Sequence, residues 1–186
     1  EAIAIDEAAF NGCSTLESIS IPDSVTKIGT SAFYGCTNLE NIEIPSSVKS
    51  IEMNSFINTK WFSAKTVENP IVIVNGILFY GKGAKGDITI PEDVVRISDE
   101  AFRGAFQLTG VKIPSSVEYI GKWAFYDSSK LENVEINSND DVYVEALAFD
   151  KTPWMTAKQK ENPMVIEDGI LLNGKNCSGD VVIPDS

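Results

Sequence analysis

"LESISIPDSVTKIGTSAFYGC", running from Leu16 to Cys36, is answered by "LENIEIPSSVKSIEMNSFINT" from Leu39 to Thr59. The two stretches lie 23 residues apart and share their apolar positions, which is the signature of a repeat architecture. Working outward, the aromatic of the Ala-Phe or Ser-Phe pair recurs at Phe10, Phe33, Phe56, Phe79, Phe102, Phe125 and Phe149, with Leu172 as an eighth rung. Every step is 23 residues except the one between Phe125 and Phe149, where "INSNDDV" from Ile136 carries one extra residue.

The unit reads L-x-x-I-x-I-P-x-x-V-x-x-I-G-x-x-A-F-x-G-C. Its first half alternates apolar and polar residues, as a strand buried on one face does. Proline follows that strand at Pro22, Pro45, Pro91, Pro114 and Pro184; without an N–H it suits the end of a ladder and the start of a turn. Each coil therefore turns a corner there, and successive strands stack in parallel at about 4.8 Å. One coil cannot cover its own apolar face, so stacking supplies the missing cover. The expected fold is a leucine-rich-repeat solenoid, right-handed, of eight strand-rich coils with a parallel sheet on one face.

"NTKWFSAKTVENPIVIVNGILFYGKGAKGDITIP" from Asn58 departs from the unit, and so does "DKTPWMTAKQKENPMVIEDGILLNGKNCSGDVVIP" from Asp150. They match each other at an offset of 93: Thr59 with Thr152, Trp61 with Trp154, Pro70 with Pro163, Gly76 with Gly169. Residues 1–186 thus divide into two super-repeats, 1–93 and 94–186, of a single solenoid. Thr152-Pro153 predicts a helix N-cap followed by proline in the first turn, hence a short helix in place of a strand. "IVIVNGILFY" and "MVIEDGILL" predict hairpins on Asn-Gly and Asp-Gly turns. The alternative is that these segments continue the coil, because Phe79 still falls on its rung.

The net charge is −12, which opposes binding to nucleic acid and to anionic membrane surfaces. No stretch approaches the roughly 18 apolar residues of a membrane-spanning helix. The chain opens inside a pattern already under way, and neither end carries a polar capping unit. Such ends expose apolar core, so flanking coils or domains and a tendency to end-to-end contact are expected. Three cysteines do not suggest a disulfide framework. Cys13 and Cys36 share a repeat position with Thr59, Ala105 and Ser128, so the site asks for a small residue.

Catalytic chemistry finds little footing. The chain has no histidine and no Gly-x-Ser-x-Gly elbow, and Glu40 with Glu43, the nearest thing to a glycosidase carboxylate pair, would sit on an open face. "GKGAKG" from Gly81 fits a dinucleotide fingerprint, but a strand follows it where that fingerprint needs a helix. Asn137, Asn139, Asp140 and Asp141 form an oxygen-rich turn of the kind calcium favours, without the glycine and closing glutamate of an EF-hand. No metal or cofactor is assigned.

These residues resemble the BspA-like leucine-rich repeats, the proline-marked 23-residue class of surface and secreted proteins of anaerobic bacteria and some parasitic protists. The "ENP.VI..GIL" variant is similar to longer units in secreted proteins of gut and rumen clostridia. The resemblance implies an extracellular or cell-surface protein that binds matrix proteins, host receptors or carbohydrate, and it implies no catalytic residues. The expectation is a non-catalytic binding or adhesion module for a protein partner, with a carbohydrate-binding or spacer module of a larger secreted enzyme as the alternative. Three sets of residues are candidates for the contact. Glu17, Glu40, Glu43, Glu132 and Glu135 point outward from the strands. Trp61 and Trp154 belong to the variant coils, where they either anchor a ligand or replace strand leucines in the core. Tyr34, Tyr80 and Tyr126 follow the ladder phenylalanines at 46-residue intervals.

Overall fold

In the computed structural model, residues 3–137, 142–167 and 169–183 are described. Their strands stack in parallel with the 23-residue register that the repeat demands. The L-x-x-I-x-I segments form β2 (Ser18–Ser20), β4 (Asn41–Glu43), β8 (Lys85–Thr89), β10 (Gln107–Ile113) and β12 (Asn133–Ile136). They pair as β2-β4 and as β8-β10-β12, with Ser18 opposite Asn41 and Val111 opposite Val134. After the corner proline a second set of short strands builds the other wall. These are β1 (Ile3–Ile5), β3 (Val25–Ile28), β5 (Ser50–Ile51), β9 (Arg96–Ile97), β11 (Tyr119–Ile120) and β13 (Tyr143–Val144). The chain is a β-solenoid. The extra residue falls where expected, because Ile113 pairs with Ile136 at an offset of 23 while Ile120 pairs with Val144 at 24.

Between the two walls runs the phenylalanine column. The N–H groups of Phe10, Phe33, Phe102 and Phe125 donate to the carbonyls of Ala32, Ser55, Ala124 and Ala148 in the next coil at 2.7–2.8 Å. That bond sets each ring over its neighbour, with Phe10, Phe33 and Phe56 stacked at 5.2 and 5.4 Å and Phe102, Phe125 and Phe149 at 4.8 and 4.9 Å. Each wholly buried ring contributes on the order of 2–3 kcal/mol of hydrophobic stabilisation, to which near-parallel stacking adds a little. The chain reverses on both sides of a rung through left-handed residues. Around Phe33 they are Ser31 (φ 55°) and Gly35 (φ 73°), and the same two offsets recur around the other five stacked rings. This is what the glycine of F-x-G-C is for, since a left-handed residue with a Cβ costs about 1–2 kcal/mol.

The expectation of eight equivalent rungs is corrected to six. The segment after Phe56 does form the predicted helix and hairpin: α1 (Lys60–Glu68), then β6 (Val72–Val74) antiparallel to β7 (Ile77–Tyr80). Asn75 and Gly76 at the turn both have positive φ, as a type I′ turn requires. The second half repeats this with α2 (Pro153–Glu161), β14 (Val165–Glu167) and β15 (Ile170–Asn173). The hairpin shifts the register, so Phe79 does not continue the column. Its ring meets Phe56 edge-on at 5.9 Å and 60°, while neighbouring Leu78 faces the other way, pairs with Ile97 and packs in the core of the second half. The rung's hydrogen bond is made by Gly81, whose N–H donates to Ala101 at 2.7 Å. A Cβ on Gly81 would lie 2.1 Å from the Phe102 ring. The ring fills the space where a fourth rung would stand.

"GKGAKG" accordingly forms a turn leading into β8, and the Asn139–Asp141 part of the oxygen-rich turn lies outside the described residues. Cys13, Cys36 and Cys177 are free. Cys36 is buried and donates its thiol hydrogen to the Phe10 carbonyl at 2.9 Å, as Ser128 does to Phe102 at 2.8 Å. The small residue of the repeat is thus a donor to the previous rung, and burial pushes the Cys36 thiol pKa up.

Replacing Gly81 by alanine is expected to cost about 1–3 kcal/mol, the usual range for overpacking. Gly174, its counterpart in the second half, meets only Cys177 Sγ at 4.0 Å, and alanine there is expected to change stability by less than about 0.5 kcal/mol. Urea unfolding midpoints of the two variants check the difference.

Candidate functional site

The residue that ends the regular pattern also positions the site. At the small-residue position, threonine replaces cysteine in two coils, and Thr59 and Thr152 accept hydrogen bonds from Phe62 N at 3.0 Å and Met155 N at 3.1 Å. Each starts a helix where a strand would otherwise begin. The next turn then sets Trp61 and Trp154 beside the last strand, their N–H groups donating to Leu39 and Leu131 carbonyls, both at 2.9 Å. Their rings lean on the ladder, 4.8 Å from Phe56 and 5.2 Å from Phe149. The strand-leucine position itself falls to Phe62 and Met155, both buried, while Trp154 is buried beside it and Trp61 only partly so. Both tryptophans also wall a trough.

The first trough, of about 510 Å³, is floored by β2 and β4 and lined by Ser18, Ser20, Glu40, Asn41, Glu43 and Trp61. The second, of about 340 Å³, is floored by β8, β10 and β12 and brings together Asp87, Lys112, Glu132, Asn133, Glu135 and Trp154. Four of the five candidate glutamates and both tryptophans thus meet, two glutamates and one tryptophan in each half. Glu17 is exposed on the same side but lines neither trough. Four coil spacings separate the tryptophans, roughly 20 Å along the rod.

The acidic stripe is partly neutralised. Lys112 bridges to Glu135 at 2.7 Å and holds its carboxyl below the usual range, chiefly through that hydrogen bond. Lys60 approaches Glu40 to 3.8 Å. Among the described residues, Glu17, Glu43 and Glu132 make no salt bridge. Acidic groups outnumber lysines in both troughs. Sequence reasoning did not single out Gly110, which stands opposite Asn133 in the strand floor. A Cβ there would stand 2.6 Å from the Asp87 carboxylate, so the absent side chain lets Asp87, held by Thr109 at 2.7 Å, lean across the floor. The only signal was a glycine inside a strand, which marks close approach.

The tyrosines do not form a row. Tyr34 is exposed at its corner. Tyr126 lies beneath the Lys151 ammonium and the Arg103 guanidinium, at 4.9 and 5.4 Å. Tyr80, displaced by the hairpin's register shift, packs edge-on against Phe62 of α1 at 4.9 Å. On the opposite wall an unpredicted cluster gathers around Tyr119. Arg96 lies over its ring at 3.6 Å, Tyr143 stacks on it at 5.9 Å, and its hydroxyl is 3.3 Å from Glu145.

A model of the BspA type leucine rich repeat region matches the chain in six copies, over residues 3–81 and 72–184. The chain belongs to that family. Among solved structures, a leucine rich cell surface protein from Faecalibacterium prausnitzii A2-165 is 30% identical over 77% of the chain, with a TM-score of 0.35. A leucine-rich repeat protein from Bacteroides ovatus ATCC 8483 is 29% identical over 81% of the chain (TM-score 0.40), and one from T. pallidum is 21% identical over 92% (TM-score 0.42). This BspA-type chain spans 33% of the length of the Faecalibacterium protein, 45% of the Bacteroides protein and 80% of the T. pallidum protein. No curated protein matches it. Among the described residues no helix is long and apolar enough to cross a membrane.

The Tyr119 cluster yields a measurable outcome. Burial, then the nearby Asp99 carboxylate, pushes the Tyr119 phenol up to about 12. An unfolded tyrosine ionises near 10, so the unfolded state releases its proton first, and stability conferred by this group is lost as pH rises from about 10 to 12. Absorbance titration of the phenolate band should show one tyrosine ionising about two units after the exposed ones, and Tyr119→Phe should remove that late step.

Proposed function

We propose that this chain is a non-catalytic binding and adhesion module of an exported, cell-surface protein, and that it recognises a protein partner through its strand face. The observation that carries the reading is that one trough is built twice, with the same residue types at the same repeat positions: strand floor, two glutamates, tryptophan wall. Family membership and the cell-surface description of the Faecalibacterium neighbour support the location. Open troughs of this shape hold an extended segment against a floor, and their excess of carboxylates favours a segment bearing lysine or arginine. The carbohydrate alternative draws on the tryptophans, but a sugar stacks on an open ring face, and Trp154 is only 5% exposed. The protein reading is therefore preferred. Glu43 and Glu132 are assigned the steering role, and Trp61 and Trp154 the apolar wall.

The test is to probe the labelled chain against an array of extracellular and matrix proteins and, in parallel, a glycan array. A protein hit is expected whose association rate falls about tenfold or more between low and high salt, the behaviour of charge-steered encounter. Glu43→Lys with Glu132→Lys should slow association while leaving the melting temperature within a few degrees. Glycan binding that ignores salt and survives both charge reversals would sink the reading.

A further inference from the structure

On the wall opposite the troughs, the two halves of the chain treat one carboxylate position differently. In the first half it is Glu52, and its charge is met from within. Lys27 on the adjacent coil reaches it at 3.3 Å, and the Ser50 hydroxyl donates to it at 2.6 Å. Lys27 and Ser50 stand opposite each other in β3 and β5. In the second half the carboxylate is Glu145, 93 residues on from Glu52, with Tyr119 in place of Lys27 and Tyr143 in place of Ser50. The two tyrosines are paired in the same way in β11 and β13. The lysine is gone. Glu145 accepts from the Tyr119 hydroxyl at 3.3 Å and, among the described residues, makes no salt bridge.

The same wall shows what a tyrosine in this row holds. Arg96 stands opposite Tyr119 on the other side, in β9, with its guanidinium carbon 3.6 Å from the ring centroid. It makes no salt bridge among the described residues, and its buried Nε has no hydrogen-bond partner. The ring face is therefore its seat, through the attraction of a cation to the π-system. Tyr143 stacks on Tyr119 at 5.9 Å and 21°. With one face so covered it is still 59% exposed, so its other face meets solvent.

The field around this face is negative. Beside Glu145 stands Asp99, which accepts from the Lys122 backbone N–H at 3.0 Å and the Tyr119 hydroxyl at 3.5 Å. The Lys122 ammonium is turned to Trp123, 4.3 Å from the ring centroid. A carboxylate that takes a cation in one half of the chain thus lies in the other half beside an open ring, with no intrachain cation to meet it.

We infer that Tyr143 and Glu145 form a docking site for an arginine side chain of a protein partner. The guanidinium lies on the open face of Tyr143, as Arg96 lies on Tyr119, and donates to the Glu145 carboxylate, as Lys27 does to Glu52. Arginine suits the site better than lysine. A planar, weakly hydrated guanidinium can lie on a ring and still direct N–H groups past its edge, whereas an ammonium keeps its water on so exposed a face. Neither Tyr143 nor Glu145 lines a trough, so the site is independent of the strand-face reading.

Titration of the 186-residue chain with the acetylated and amidated peptide Gly-Arg-Gly tests this, read from the Tyr143 ring signals by NMR at constant ionic strength. The matching lysine and citrulline peptides serve as comparisons, citrulline being the uncharged isostere of arginine. A single side chain is expected to bind with a dissociation constant of about 10–100 mM, the lysine peptide about two- to fivefold more weakly, and the citrulline peptide not measurably. Glu145→Gln should weaken the arginine peptide by a similar factor. Tyr143→Ser, which places there the residue the first half already carries, should abolish binding with the cooperative melt retained, and Tyr143→Phe should restore it to within about twofold. Glu43→Lys with Glu132→Lys should leave the titration unchanged. A citrulline peptide that moves the Tyr143 signals as far as arginine does, a wild-type chain that ignores the arginine peptide, or Tyr143→Ser binding as wild type would each overturn the inference. Loss of the titration in the Glu43, Glu132 pair would move the peptide to the troughs and overturn it as well.

Discussion

The structure depends on one hydrogen bond made over and over, from the N–H of a ladder phenylalanine to the carbonyl just before the next ring. Because that carbonyl lies 22 or 23 residues ahead, the bond fixes the length of a coil, and the ring has no choice but to stand on its neighbour. The rest is accommodation. The left-handed pair around each rung turns the chain tightly enough to return. The small residue after it, Cys36 or Ser128, gives the carbonyl of the preceding rung a second hydrogen bond, beside the one from the backbone N–H of Cys13 or Ala105. A coil that changed its length would lose the bond, the stack and the carbonyl donor together.

Coils three and seven do change their length, and the cost is met locally. Threonine at the small-residue position turns its hydroxyl from the preceding rung to the carbonyl of its own, Thr59 to Phe56 and Thr152 to Phe149 at 2.8 and 2.7 Å, while its oxygen also accepts from the helix that follows. One side chain thus closes the old coil and starts the helix. The hairpin after it moves the rung two residues on, from Phe79 to Gly81, and glycine at 81 lets Phe102 come down into the vacancy. The break in the ladder is what makes the troughs: had a strand followed Thr59 or Thr152 and stacked on β4 or β12, the face would be a flat sheet without a tryptophan wall.

Periodicity made the regular coils legible, because six rings at nearly constant spacing admit one kind of winding. Helix α2 was legible from Thr152-Pro153, α1 only through its match to that segment 93 residues on, and the hairpins from Asn-Gly and Asp-Gly, which are local signals. The fate of Phe79 was not, because counting residues assumes that every residue advances the chain equally along the coil, and an antiparallel hairpin runs part of its length backwards. Tyr80 misled for the same reason. The glutamates and tryptophans were readable as outward-facing or core candidates one by one; their meeting in pairs follows from helix α1 sitting directly beside β4, a tertiary fact. Trp61 touches both the ladder and the trough, its ring tilted at 53° to Phe56 while it lines the space above β4. The Tyr119 cluster lies at positions the repeat leaves unconstrained, where no period points to it.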